Sequence, residues 1–299
     1  MISFGNLFTP PGSLSDQLSD ANMPKRFFPN LNYVRHKRSR WCYVDQRSLA
    51  VITSLRRDLP RILRETPPPA TSNIAFPYEP RIASVPRVFV KIYKVRHRKD
   101  RIRETLGRRH RHYGLRYGVA EFTNSLAIKE RGVSCPDIFA LGELSRGLLV
   151  DSHILVMEYL SGYRTLSDAL RDSKTHGTRL DILKATQRAI TDLFRQGIFH
   201  IDLNSKNIML HPGKGEAYKI IDLEYVRFLG GPSDRVLSFQ LGYLYRKWCR
   251  EFVPDSIYES WVRGLLDSLL KHQGTNDLAD LYENAKSRHF PRREILSLV

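Results

Sequence analysis

The chain has 299 residues, enough for one two-lobed domain or two ordinary ones with a sizeable core. Its 41% hydrophobic and 26% charged residues are those of a soluble globular protein and exclude a wholly disordered one. Forty-eight Lys and Arg against 31 Asp and Glu give a net charge of +17, which argues for an anionic partner: nucleic acid, a membrane surface or a phosphorylated substrate.

The three cysteines, Cys42, Cys135 and Cys249, are far apart and form no CxxC pair, so neither a zinc site nor a disulfide framework is expected. A reducing cytoplasm fits best. No stretch approaches eighteen uninterrupted apolar residues, since even Leu148 to Leu160 is broken by Asp151, His153 and Glu158. Any membrane contact is therefore expected to be peripheral.

Residues 1–30 are rich in Ser, Pro, Asn and Asp and read as a tail. NYVRHKRSRWCYVDQ then suggests two short strands around a basic turn. Arg47 to Leu63 has helical spacing that Pro60 should spoil, and Thr66 to Pro86, with six prolines, reads as extended or linker-like. VPRVFVKIYKV reads as a strand with Val88, Val90 and Ile92 on one face and Phe89, Lys91 and Tyr93 on the other. Lys91 is either an edge-strand lysine that discourages aggregation or a functional cation.

From Lys91 to Arg116 there are eleven Lys or Arg against Asp100 and Glu104, a solvated face or a site for anionic saccharide or lipid headgroups. Nucleic acid is the weaker option, because no aromatics interleave at a recognition motif. GVAEFTNSLAIKERGVSCP reads as a helix ended by Gly132 and Pro136, with Glu121, Ser125 and Ile128 on one face and Glu130 opposite. Glu121 is thus the better partner for Lys91. HILVMEY reads as a buried strand ending near Glu158, and Ser161-Gly162 marks a crossing to a helical part. Helical spacing follows over Thr165 to Ser173 and Leu180 to Gln196, then over Ser233 to Phe252, Asp255 to Lys271 and Asn276 to Ser287, with Tyr243, Leu244, Trp248 and Trp261 as packing residues.

Between these lies GIFHIDLNSKNIMLHPGKGEAYKIIDLE, two short apolar strands joined by a polar Gly/Pro turn. Asp222 and Asn207 could supply oxygens to a hard cation from the two arms of one hairpin, while Asp202 is aimed from a loop at an acceptor hydroxyl. His200 would brace that loop.

His200-x-Asp202-Leu-x-x-x-Asn207 resembles the catalytic loop of protein-kinase-like enzymes, with Asp222-Leu-Glu224 in place of their metal-binding triplet. The fuller string, with IIDLE after a short hairpin, is similar to the bacterial lipopolysaccharide-core sugar kinases, the Kdo and heptose kinase family. The resemblance spans roughly residues 87–261 and implies an α+β, two-lobed kinase-like fold, a sheet-containing N-lobe over 31–160 and a helical C-lobe over 161–299.

It further implies ATP and Mg2+ as cofactors, with Lys91 and Glu121 on the nucleotide phosphates and backbone near Glu158 on the adenine. Asn207 and Asp222 would bind the metal, Asp202 would orient or deprotonate the acceptor, and Lys206 would offset transition-state charge. The acceptor would be a glycolipid or sugar, met in the cytoplasm at the inner face of the inner membrane. No GxGxxG precedes Lys91, so the basic turn near Arg35 to Arg40 is the candidate cover for the phosphates. Glu224 replaces the family-typical glycine of protein kinases and either meets a second magnesium or is solvated. The rival readings are a kinase for a protein or another small molecule, a catalytically silent pseudokinase, and a basic nucleic-acid-binding protein.

Overall fold

The computed structural model describes residues 31–36, 39–65, 73–80, 85–108, 115–213, 216–247, 249–270 and 276–298. The expected tail, Lys37 and Arg38 of the basic turn, and Trp248 lie outside them. The chain divides into two compact units, one running to Phe122 and including Asp137–Tyr159, the other comprising Thr123–Pro136 and the chain from Leu160 onward.

The first unit is built on strands β1 (Asn32–His36), β2 (Ser39–Tyr43), β3 (Asn73–Tyr78), β4 (Val88–Lys94), β5 (Ile138–Arg146) and β6 (Leu149–Glu158), paired antiparallel in the order β1-β2-β5-β6-β4-β3. The alternation in β4 buries Val88, Val90 and Ile92 against helix α1 (Gln46–Glu65), which contributes Val51, Ile52, Leu55 and Leu59. Contrary to expectation, α1 runs on through Pro60. That residue is exposed, and burial of the helix's apolar face outweighs the backbone hydrogen bond a proline cannot make.

Part of the proline-rich stretch is strand β3, whose Pro77 is tolerated because β3 is an edge of the sheet. Strand β5 was not anticipated at all. It pairs Gly142 with Trp41, and a Cβ at Gly142 would stand 2.6 Å from the indole ring, so the missing side chain is what lets the two strands close. Helix α2 (Arg98–Thr105) occupies the basic segment and is tied to β6 by Arg101–Asp151 at 2.7 Å and by Val150 N–H to Thr105 Oγ1 at 2.9 Å.

Helix α3 (Tyr117–Glu130) begins in the first unit and ends in the second, where Gly132, at φ 76°, turns the chain out of it. The second unit continues with β7 (Arg164–Thr165), helices α4 (Leu166–Asp172) and α5 (His176–Arg195), and strands β8 (Ile198–His200), β9 (Ile208–Leu210), β10 (Tyr218–Ile220) and β11 (Val226–Phe228). Helices α6 (Asp234–Arg246), α7 (Asp255–Leu269), α8 (Asn276–Ser287) and α9 (Arg292–Leu296) complete it.

β9 pairs with both β10 and β7, and β8 with β11, so the catalytic-type string lies in two small antiparallel sheets. The expected helix to Phe252 stops at Arg246, with a short 3-10 turn, Cys249–Glu251, beyond it. α6 is buried from Val236 to Tyr245. At Gly242 its backbone lies so close to Tyr282 of α8 that a Cβ would collide with the carbonyl oxygen.

Candidate active site

Lys91 sits in the interior of the first unit's sheet, paired with Ala75 of β3 and Leu155 of β6. The edges are β1 and β3, so the edge-strand explanation of this lysine is excluded. Its Nζ donates to Glu121 Oε1 at 2.8 Å and Oε2 at 3.1 Å, with the two side chains 16% and 3% exposed. Tyr93, two residues along the same face of β4, also donates its hydroxyl to Glu121. The pair expected from helical phase is therefore formed, with a third member that the same alternation could have revealed. Glu158, at the end of β6, exchanges hydrogen bonds with Asp137: its N–H donates to the Asp137 carbonyl at 2.7 Å and its Oε2 accepts the Asp137 N–H at 3.0 Å.

In the second unit the loop after β8 is pinned from several directions. His200 is fully buried, and its Nε2 donates to the Ile221 carbonyl at 3.1 Å, which ties the loop to the residue before Asp222. Asn207 donates its amide to the Asp202 carbonyl at 2.8 Å, and its own carbonyl accepts the Ile221 N–H at 3.0 Å. Asn207 and Asp222 thus flank the two arms of the β9–β10 hairpin, and Asp202 lies in the loop before it. Lys206 is exposed, its N–H donating to Asn204 Oδ1 at 2.9 Å. Asp222 itself adopts a left-handed backbone, φ 61° and ψ 53°, uncommon outside glycine but accessible to Asp, and such conformations concentrate at functional sites.

Among the described residues no three His, Cys, Asp or Glu side chains converge as a metal set. One carboxylate and one amide oxygen from neighbouring strands nevertheless suit a hard, mostly hydrated cation that takes its remaining ligands from water and phosphate. Because Asn207 spends its NH2 on Asp202, its Oδ1 is the side-chain atom that would serve such a cation.

Sequence reasoning missed several supports. Tyr243, read as a packing residue, stacks on Phe239 and also donates its hydroxyl to Asp202 Oδ1 at 2.7 Å. Burial first, and then the Asp202 charge that accepts this bond, push its hydroxyl well above the usual tyrosine range. Gln240, one helical turn earlier, donates to the His200 carbonyl at 3.2 Å. A Gln and a Tyr three apart within the largely apolar run VLSFQLGYLY were the available signal. Asn124 of α3 donates to the Leu223 carbonyl at 2.6 Å and so steadies the turn after Asp222. Of the basic hairpin offered as a phosphate cover, Arg40 is paired with Glu143 at 3.2 Å.

An antiparallel sheet carrying a Lys–Glu pair, followed by a mainly helical part with a His-x-Asp loop, an Asn five residues on and an Asp after the next strand, defines a protein-kinase-like fold. The chain belongs to the lipopolysaccharide kinase (Kdo/WaaP) family, whose model matches residues 83–252. It is accordingly a kinase of lipopolysaccharide biosynthesis. Among solved structures, one described as WaaP in complex with acyl carrier protein aligns over 76% of this chain and 79% of its own, at 20% identity and a TM-score of 0.40. No curated protein matches the sequence.

Proposed function

We propose that the chain transfers the γ-phosphate of ATP to a hydroxyl of a lipopolysaccharide-core sugar, Kdo or heptose. Asp202 orients that hydroxyl and accepts its proton, while Tyr243 and Asn207 fix the loop that carries it. Lys91, kept extended by Glu121, binds nucleotide phosphates, and Lys206 offsets charge on the transferring group. Asn207 and Asp222 would hold a magnesium ion, which when bound neutralises phosphate charge. The observation that carries the reading is the shared anchorage of Asp202, Asn207 and the residue before Asp222, since phosphoryl transfer asks a protein mainly to position groups.

The enzyme works as a peripheral protein on an anionic bilayer. Leu148, at the tip of the β5–β6 hairpin, is 92% exposed and lies two residues after Arg146; Ile102 of α2 shares its outward face with Arg98 and Lys99. Apolar tips set among cations suit an interface of that kind.

The deciding experiment is magnesium-dependent transfer of labelled γ-phosphate from ATP into Kdo- or heptose-bearing lipid A precursors, with wild type and Asp202→Ala side by side. Label should enter the glycolipid with wild type and fall by at least about 1,000-fold in the variant, while nucleotide affinity and melting temperature stay near wild type. Full activity in Asp202→Ala would remove the catalytic assignment. Nucleotide binding without transfer to any acceptor would point to a pseudokinase.

A further inference from the structure

The ring of Tyr243, whose hydroxyl holds Asp202, is itself surrounded by cations. One helical turn on, Arg246 lies with its guanidinium carbon 5.3 Å from the ring centroid, and Lys247 Nζ lies 5.9 Å from it. Nε and Nη2 of Arg246 are buried from solvent and have no hydrogen-bond acceptor among the described residues. On α9, Arg292 stacks over the ring of Tyr225 at 4.0 Å and hydrogen-bonds to that residue. Burial opposes its charge, but Tyr225, Asp202 and Glu224 together outweigh burial and hold the guanidinium above its ordinary range.

A guanidinium withdrawn from water with two donors unmet is costly, and contact with an aromatic face offsets only part of that cost. Asp202 does not discharge it: its Oδ1 accepts from Tyr243, and neither buried nitrogen of Arg246 reaches an acceptor among the described residues. What such a planar fork satisfies best is a second planar or tetrahedral oxyanion. The two arginines also come from separate elements, α6 and α9, and both act electrostatically on the Asp202–Tyr243 pair.

We infer that Arg246 and Arg292 form a subsite for an anionic substituent, a carboxylate or a phosphate, on the acceptor sugar close to the hydroxyl that is phosphorylated. The inference rests on the reading that Asp202 orients that hydroxyl. It makes the acceptor an acidic saccharide, recognised by its charge as well as by its ring.

The test is steady-state transfer from ATP with the full chain, using a Kdo-bearing lipid A precursor and a heptose-bearing core oligosaccharide, each also supplied carboxyl-reduced or dephosphorylated. Arg246→Gln and Arg292→Gln should each raise the KM for the native acceptor by about 10- to 100-fold, as loss of a charge-assisted hydrogen bond requires, with a smaller change in kcat and in the KM for ATP. The chemically altered acceptor that lacks the recognised group should already show the raised KM with wild type, and the arginine substitutions should add little to it. Which alteration behaves so tells carboxylate from phosphate. A KM for native acceptor within about twofold of wild type in the variants would overturn the subsite. If Arg246→Gln does not fold, the exposed Arg292→Gln decides alone. Transfer that survives Asp202→Ala defeats the underlying reading, whereas neutral arginine variants beside an inactive Asp202→Ala defeat the subsite only.

Discussion

Lys91 shows how one residue's meaning depends on its surroundings. Alternation placed it on the face of β4 shared with Phe89 and Tyr93, and helical phase selected Glu121 over Glu130 as its partner. Both inferences use local geometry, and the 2.8 Å ion pair agrees with them. That β4 is an interior strand could not be read locally, because strand order is a property of the whole sheet. Glu121 is nearly fully buried, so removing Lys91 takes the counter-charge from a buried carboxylate, and removing Glu121 takes an acceptor from both the Lys91 ammonium and the Tyr93 hydroxyl. Lys91→Met and Glu121→Gln should therefore each destabilise the chain, while the double variant is less destabilised than their sum, with a coupling of about 1–3 kcal/mol in urea unfolding. Additivity to within about 0.5 kcal/mol would show that the pair is energetically idle.

At the scale of elements, strands β2, β5, β6 and β4 lay a polar row across the sheet: Arg40 opposite Glu143, Glu143 opposite His153, and His153 opposite Tyr93. His153 is fully buried, 3.8 Å from Glu143 and 3.9 Å from Glu104 of α2. Burial penalises every charged form here, raising Glu104 to about 8 and Glu143 to about 7 and lowering His153 to about 3. The folded state therefore holds more protons on the two glutamates than the unfolded chain does between roughly pH 4.5 and 8, and stability falls as pH rises through that window. His153 acts oppositely, but only below about pH 6.5. Above that value the glutamates set the slope within this row.

Raising the pH from 6.5 to 8.5 should thus cost on the order of 2 kcal/mol in chemical unfolding, and Glu104→Gln should flatten the dependence. An unchanged slope in Glu104→Gln would assign the effect elsewhere. None of this row was visible in the sequence. IFALGELSR mixes apolar, glycine and charged residues without strict alternation, and Glu143 becomes intelligible only once Arg40, some hundred positions earlier, lies beside it.

For the whole molecule, charge is the dominant fact: +17 overall, with exposed cations on α2 and at the β5–β6 tip where Leu148 and Ile102 also face outward. None of the described helices is long and apolar enough to cross a membrane. Binding to phosphatidylglycerol-containing vesicles should be strong at low salt, weaken as ionic strength shortens the Debye length, and be absent on phosphatidylcholine alone. Leu148→Glu should lower vesicle affinity by roughly tenfold, the worth of one buried leucine side chain. Co-sedimentation that ignores both lipid charge and this substitution would rule the face out.

The sequence by itself determined the family and the type of each residue offered for its chemistry. A His-x-Asp loop, an Asn five residues on and an Asp behind the next apolar strand are short-range patterns, and the backbone between them allows few arrangements, so residue type and spacing are nearly sufficient. The same holds for the helix that presents Glu121. Only the tertiary structure decided which strand is interior, that β5 exists, that α1 survives Pro60, and that Tyr243 reaches back 41 residues to hold Asp202. Those outcomes depend on contacts between segments far apart in the chain, where the energy of burial and of satisfying buried polar groups is settled collectively and leaves no local periodicity to read.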